Sequence, residues 1–196
     1  MLKIYLIRHS RTFGNSLKRY IGVTDEPLCE EGIALLQNRE YPKAEKLYVS
    51  PMLRCRQTAE IVYPGQEYEI VPLLSETNFG VFENKNADEL SGTKEYQAWI
   101  DSNATMEIPG GESLANFQKR CVRGFEEVVG KCLEDGISSA AFVVHGGTIM
   151  AIMDAYAVPH RNFYEYSTAN GCGYVVTIDN TKDGIIFSTA NPLIYE

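Results

Sequence analysis

Hydrophobic residues gather in short runs along the chain, at Leu2 to Ile7, Lys46 to Ser50, Tyr68 to Val71, Ala140 to His145 and Tyr174 to Ile178. Continuous apolar runs of this length predict buried strands. Between them the spacing turns helical. Ser50-Pro51 reads as an N-cap followed by a first-turn proline, opening a helix that runs through Ile61. A longer helix begins at Ser113, with Leu114, Phe117, Cys121, Phe125, Val128 and Cys132 on one stripe and Gly136 just past its end. Alternation of strand and helix predicts an α/β fold with three layers, α/β/α, around a mostly parallel central sheet. No repeat, low-complexity tract or linker interrupts the pattern, so residues 1–196 read as one domain. The polar stretch from Glu83 to Asn103, within a segment of about 76–112, reads as a small excursion over the sheet and the active site.

Composition narrows the function. A chain of 196 residues with 44% hydrophobic and 22% charged residues can bury one core, which excludes a disordered polypeptide. The formal net charge of −8 and pI near 5.0 exclude a basic field, so no nucleic-acid or membrane-surface partner is expected, and a bound anion must be held by a local cluster. The five cysteines, at 29, 55, 121, 132 and 172, form no CxxC pair and no zinc spacing. They read as reduced, mostly buried thiols, with no metal and no cofactor. The opening apolar run ends at Arg8-His9, too short for a signal-peptide core, and no stretch reaches the ~18 apolar residues of a membrane helix. A cytoplasmic protein, monomer or homodimer, is expected.

An open α/β sheet binds ligands at the carboxyl ends of its strands. Those ends carry Arg8-His9, then Ser50 through Arg54, then His145-Gly146-Gly147. Two of the three histidines therefore close strong hydrophobic runs, where a structural strand gains nothing from imidazole. Arg8 and Arg54 bring guanidinium groups, which bind phosphate or carboxylate through paired hydrogen bonds. Gly111-Glu112-Ser113-Leu114-Ala115 approximates a serine-hydrolase elbow, but Ile108-Pro109-Gly110 is a poor strand end, and Ser113 reads as a helix N-cap. The segment Tyr156, Phe163, Tyr164 and Tyr166, with His160 and Arg161, can help shape a pocket, with core and surface packing the favoured reading.

Six stretches in order resemble the histidine phosphatase superfamily, which includes the phosphoglycerate mutases. Leu6-Ile7-Arg8-His9-Ser10-Arg11-Thr12-Phe13-Gly14-Asn15 resembles L-x-R-H-G-x-T-x-x-N, and Gly22 through Leu28 followed by Gly32 resembles G-x-x-D-x-P-L-x-x-x-G. Ser50 through Ala59 is similar to S-P-L-x-R-A-x-Q-T-A, and Leu74-Ser75-Glu76 through Glu83 to L-x-E-x-x-F-G-x-W-E-G. Pro109-Gly110-Gly111-Glu112-Ser113 and Val144-His145-Gly146-Gly147 complete the set.

The resemblance implies a phosphoglycerate mutase-like fold and a metal-independent phosphomonoester hydrolase. His9 would be the nucleophile, forming a phosphohistidine, and Arg8, Arg54 and His145 would surround the phosphoryl oxygens. Glu76 matches the general acid, with Glu83 a second carboxylate nearby. Asn15, Ser10, Gly146 and the backbone around Gly22 would add phosphate or substrate contacts. Two departures stand out: Ser10 where the family has glycine, and Asn84 in place of the glycine after Glu83. Asparagine tolerates the left-handed backbone that glycine often serves. The substrate would be a small phosphorylated metabolite, with the Arg19 to Leu28 stretch most like α-ribazole phosphatases, which act on α-ribazole 5′-phosphate, although broad-specificity phosphatases share most of the same pattern. The alternatives are a phosphoglycerate mutase-type phosphotransferase and a catalytically silent module that holds a phosphorylated ligand.

Overall fold

The computed structural model describes residues 1–181 and 184–194. Its elements run β1 (Leu2–Arg8), α1 (Phe13–Ser16), α2 (Glu30–Gln37), β2 (Lys46–Val49), α3 (Leu53–Val62) and β3 (Glu69–Ile70). Short helices α4 (Ala87–Leu90) and α5 (Lys94–Asp101) precede α6 (Leu114–Glu134), β4 (Ser139–Val144), α7 (Gly146–Tyr156), β5 (Gly173–Thr181) and β6 (Gly184–Leu193).

The strands form one sheet in the order β3-β2-β4-β1-β5-β6. The pairs β2–β3, β2–β4 and β1–β4 are parallel, while β5 is antiparallel to both β1 and β6. Alternation along β1 sends its side chains to two separate cores. Leu2, Ile4 and Leu6 meet Phe125, Val128 and Val129 of α6 and Ile149 and Ile152 of α7. Tyr5 and Ile7 meet Leu47, Val49, and Cys55 and Ala59 of α3 on the other face. Helices thus cover both faces, as the alternating sequence pattern predicts, and each large apolar side chain so buried contributes roughly 1.5–3 kcal/mol.

The predicted strands fall within one to three residues of the observed ones at β1, β2, β4 and β5. Tyr68 to Val71 differs: β3 keeps only Glu69 and Ile70, both exposed at a sheet edge, and the burial expected there is limited to Val71. The edge strand β6 has no counterpart among the predicted runs. Its Pro192 and mixed exposure suit an edge, where a missing N–H costs no ladder bond.

The polar excursion carries a small apolar cluster of its own. Phe82, Leu90 and Ile108 are buried there, with Tyr20, Phe79, Tyr96 and Trp99 packed against them. Tyr96 and Trp99, three residues apart on α5, stack at 5.9 Å, and Tyr96 shares a 2.9 Å hydrogen bond with Tyr20. Asn84 sits at φ 57°, the left-handed conformation its residue type tolerates.

Candidate active site

Parallel register brings three strand ends level. Arg8 lies opposite Val144 and Val49 opposite Val143, so His9, His145 and Ser50 emerge side by side. The chain is pinned there by His9 N–H to the Val144 carbonyl (2.8 Å) and Ser50 N–H to the Val143 carbonyl (3.1 Å). The imidazoles of His9 and His145 meet edge to face, with centroids 5.2 Å apart.

His9 Nδ1 lies 2.7 Å from the Ser10 carbonyl. A carbonyl only accepts, so Nδ1 carries the proton and Nε2 keeps its lone pair. Burial first, then the charges of Arg54 and Arg8, hold the His9 pKa well below 6.5. His145 is lowered in the same direction by burial, then by Arg54, His9 and Arg8. Its Nε2 sits 2.6 Å from Ser50 Oγ, which fixes the ring's rotation. The Cys55 thiol lies beside that ring, and burial pushes its pKa up to about 12, so it stays protonated. Cys55, Cys121, Cys132 and Cys172 are buried free thiols, while Cys29 is partly exposed.

Arg54 is fully buried on α3. Its Nη1 donates to the Thr24 carbonyl (2.9 Å), and its Nη2 to those of Ile21 (3.3 Å) and Gly22 (2.9 Å). Arg8 Nη1 donates to the Thr168 carbonyl at 2.6 Å. Burial draws the Arg8 pKa down from its usual value, Glu76 opposes this and Arg54 adds to it. The Nε atoms of Arg8 and Arg54 are buried without a hydrogen-bond partner among the described residues. Two such cationic donors beside a neutral imidazole suit a phosphoryl group. Of His9, Arg54 and His145, only His9 retains any exposure, 4%.

Arg8, Glu76 and Gly146 reach a cavity of about 300 Å³. Its walls come from the excursion (Phe79, Trp99, Ile108) and from the sheet scaffold (Phe117, Met150, Phe163). Phe163 and Tyr164 therefore line the cavity, the role the sequence pattern ranked second to packing. Tyr166 does pack in the interior, against Tyr174, and Tyr156 packs half-buried against Phe125. Glu76 Oε2 accepts from the Gly147 N–H at 3.4 Å, at the start of α7. A Cβ at Gly147 would lie 2.4 Å from Glu76, so only glycine lets the carboxylate approach.

Other expected contacts are spent within the protein. Ser10 Oγ donates to the Gly32 carbonyl (2.7 Å), and Ser10 N–H donates to Thr58 Oγ1 (3.0 Å). The departure from glycine therefore adds a brace to α2. Asn15 Oδ1 accepts from Thr12 N–H and Asn170 Nδ2, each at 3.2 Å, capping α1. Asn170 also donates to the His9 carbonyl at 3.1 Å. Gly146 packs on Arg8, where a Cβ would meet Nε at 3.3 Å. Ser113 accepts from Asn116 N–H at 3.3 Å, the N-cap of α6.

Sequence reasoning assigned no role to Arg120, Thr168 or Asn170, named Glu112 only within a matched stretch, and took Ser50 for the N-cap of α3, a place the structure gives to Met52 because the helix starts at Leu53. Arg120 Nη2 pairs with Glu112 Oε1 at 2.5 Å and donates to the Glu76 carbonyl at 2.8 Å, while Nη1 reaches the carbonyls of Leu73 and Ser75. These contacts hold the segment that carries Glu76. Thr168 and Asn170 act through backbone or amide groups from a loop distant in sequence, which no local pattern signals.

The model of the histidine phosphatase superfamily (branch 1) matches residues 4–188. Probable phosphoglycerate mutase GpmB of Yersinia pestis (strain Pestoides F) is 30% identical over 163 residues, covering 78% of this chain and 73% of that protein. The protein of the same name from Erwinia tasmaniensis is 28% identical over 165 residues, with the same coverage. A putative alpha-ribazole-5'-P phosphatase from Escherichia coli K-12 superposes with a TM-score of 0.82 at 22% identity, over 97% of this chain and 96% of that chain; this likeness shows the fold. Phosphoglycerate mutase from Thermus thermophilus gives a TM-score of 0.72 at 25% identity, over the full length of both chains. With its six-stranded mixed sheet and the family model spanning nearly all of it, the chain belongs to the histidine phosphatase superfamily.

Proposed function

We propose that the chain is a phosphomonoester hydrolase that works through a phosphohistidine at His9, on a small phosphorylated metabolite. One observation carries this reading: the Ser10 carbonyl accepts a hydrogen bond from the Nδ1–H of His9, leaving the lone pair on Nε2 of a neutral ring in the field of Arg54 and Arg8. Nε2 attacks phosphorus, the P–N bond forms, and the P–O bond to the leaving alcohol breaks. Glu76 in its protonated form gives its proton to the departing oxygen. It then takes a proton from water as the water oxygen attacks phosphorus, the P–N bond breaks, and His9 regains its lone pair. Arg8, Arg54 and His145 stabilise the charge spread over the non-bridging oxygens, where removing a single donor costs about 10²–10³ in rate.

The cavity favours hydrolysis of a substrate with an uncharged body, α-ribazole 5′-phosphate among the candidates. Apart from Arg8, its charged lining residues are Glu76 and the Arg120-paired Glu112, so among the described residues the lining holds no second cation for another anionic group such as the carboxylate of 3-phosphoglycerate. The names of the relatives favour a second reading, a phosphoglycerate mutase that returns the phosphoryl group to substrate.

Phosphate release from nitrophenyl phosphate, α-ribazole 5′-phosphate and 3-phosphoglycerate, in excess EDTA, tests the proposal. Release that survives EDTA and disappears in His9→Ala is the expected result. Phosphoryl exchange with a bisphosphate primer in place of release would favour the mutase, and loss of activity with EDTA would overturn the metal-independent route.

A further inference from the structure

Glu83, at the end of a short 3-10 turn over Gly80–Phe82, reaches across the excursion to the loop at residues 21–24. Its carboxylate accepts from three successive peptide N–H groups, Gly22 (3.2 Å), Val23 (2.9 Å) and Thr24 (3.3 Å). It also accepts from Thr24 Oγ1 (2.7 Å) and from Phe79 N–H (3.1 Å). The opposite ends of the same peptide groups face Arg54. The peptide that gives its Gly22 N–H to Glu83 gives its Ile21 oxygen to Arg54 Nη2, and the next gives its Val23 N–H to Glu83 and its Gly22 oxygen to Arg54 Nη2. Two peptide dipoles therefore lie between a carboxylate and a guanidinium, each polarising the other's hydrogen bonds. The loop leaves no room for alternatives: a Cβ at Gly22 would fall 1.8 Å from the Thr77 carbonyl and 2.4 Å from Glu83.

We infer that Glu83 is a positioning residue for Arg54, acting through the peptide groups of residues 21–24 to fix how the guanidinium meets the phosphoryl group. Both Nη groups are engaged by the loop, which sets the orientation of the buried, unpartnered Nε. Through Phe79 N–H, the same carboxylate ties this loop to the segment that follows Glu76, so the anion-binding arginine and the acid keep one spacing. Glu83 touches no reacting atom in this scheme. It rests on the proposed function only in taking Arg54 as a phosphate ligand.

The test uses the full chain and inorganic phosphate, read by titration calorimetry beside steady-state kinetics. Glu83→Gln turns an acceptor into a donor against a row of N–H groups, and loss of a charge-assisted contact of this kind weakens phosphate binding about 10–100-fold. The inference requires kcat/KM to fall by the same factor on nitrophenyl and alkyl phosphates alike, because Arg54 acts on the phosphoryl group and not on the leaving group. It also requires Arg54→Lys and the Arg54→Lys/Glu83→Gln double variant to bind phosphate equally. Additive losses, or wild-type phosphate affinity in folded Glu83→Gln, would overturn it. Should Glu83→Gln not fold, Thr24→Val removes only the hydroxyl contact: weaker phosphate binding that vanishes as an effect in the Arg54→Lys background supports the link, and unchanged affinity refutes it. Absence of phosphate binding by the wild type would strike the proposed function instead. Unfolding midpoints across the Thr24 and Arg54 cycle would then decide the link, non-additive supporting it and additive overturning it.

Discussion

At the scale of single residues, the site depends on keeping two imidazoles neutral among cations. Burial and the neighbouring arginines depress both His9 and His145, so the unfolded chain binds more protons than the folded one just below pH 6.5. Stability therefore rises with pH through that window and is lost as pH falls from 6.5 toward the depressed folded values. Urea midpoints measured from about pH 7.5 down to about pH 5 should decline less in His145→Asn than in wild type; equal slopes would remove His145 from this role. The same depression leaves the His9 lone pair available in mild acid, so the acid limb of kcat/KM attributable to His9 lies below 6.5. Glu76 is tested by leaving group. Glu76→Gln should slow alkyl phosphates by about 10²–10⁴ and nitrophenyl phosphate far less, since nitrophenolate hardly needs a proton. Equal losses on both substrates would remove it from the acid role. His9, Arg8 and His145 stood out in the sequence because imidazole and guanidinium closing apolar strands gain nothing structural there, and Arg54, on α3, stood out only beside them. Ser10 was legible only as a departure, and its bond to the Gly32 carbonyl depends on the approach of α2, which sequence does not reveal.

At the scale of elements, the strands that read clearly are those buried on both faces, since a continuous apolar run survives any neighbour. β6 alternates partly exposed positions and carries Pro192, so nothing local distinguished it from a loop. The start of α7 was hidden by Gly146-Gly147, which look like a turn but are small because Arg8 and Glu76 pack against them. The partnership of α6 with the Glu76 segment was equally hidden. Arg120 and Glu112 are largely shielded, at 24% and 17% side-chain exposure, and Arg120 adds bonds to the carbonyls of Leu73, Ser75 and Glu76. Arg120→Met leaves Glu112 without its cation, held only by the Asn78 N–H, and these carbonyls unpaired, and a loss of about 1–3 kcal/mol in unfolding free energy is expected by urea titration. Rate loss in the same variant should track that of Glu76→Gln across leaving groups. A variant as stable as wild type would show that the pair contributes little to the fold.

At the scale of the whole molecule, a sheet scaffold supplies the strand ends that carry Arg8, His9 and His145, and the excursion supplies one wall of the cavity. Trp99 stands in that wall and is the chain's single tryptophan, so its fluorescence reports on occupancy. Phosphomonoesters with aromatic bodies should change its emission, and Trp99→Ala should raise KM for them while leaving kcat on nitrophenyl phosphate nearly unchanged. A polar composition concealed this wall, because its aromatic residues are spaced among charged ones and find each other only when α5 folds over Phe82. The phosphoryl-transfer scheme itself is tested most directly by trapping the intermediate. Turnover quenched in alkali, where a phosphorus–nitrogen bond survives, and followed by peptide mass spectrometry should find one phosphoryl group on His9 and none in enzyme kept from substrate. An unmodified His9 during steady turnover, with activity retained in His9→Ala, would contradict the phosphohistidine mechanism.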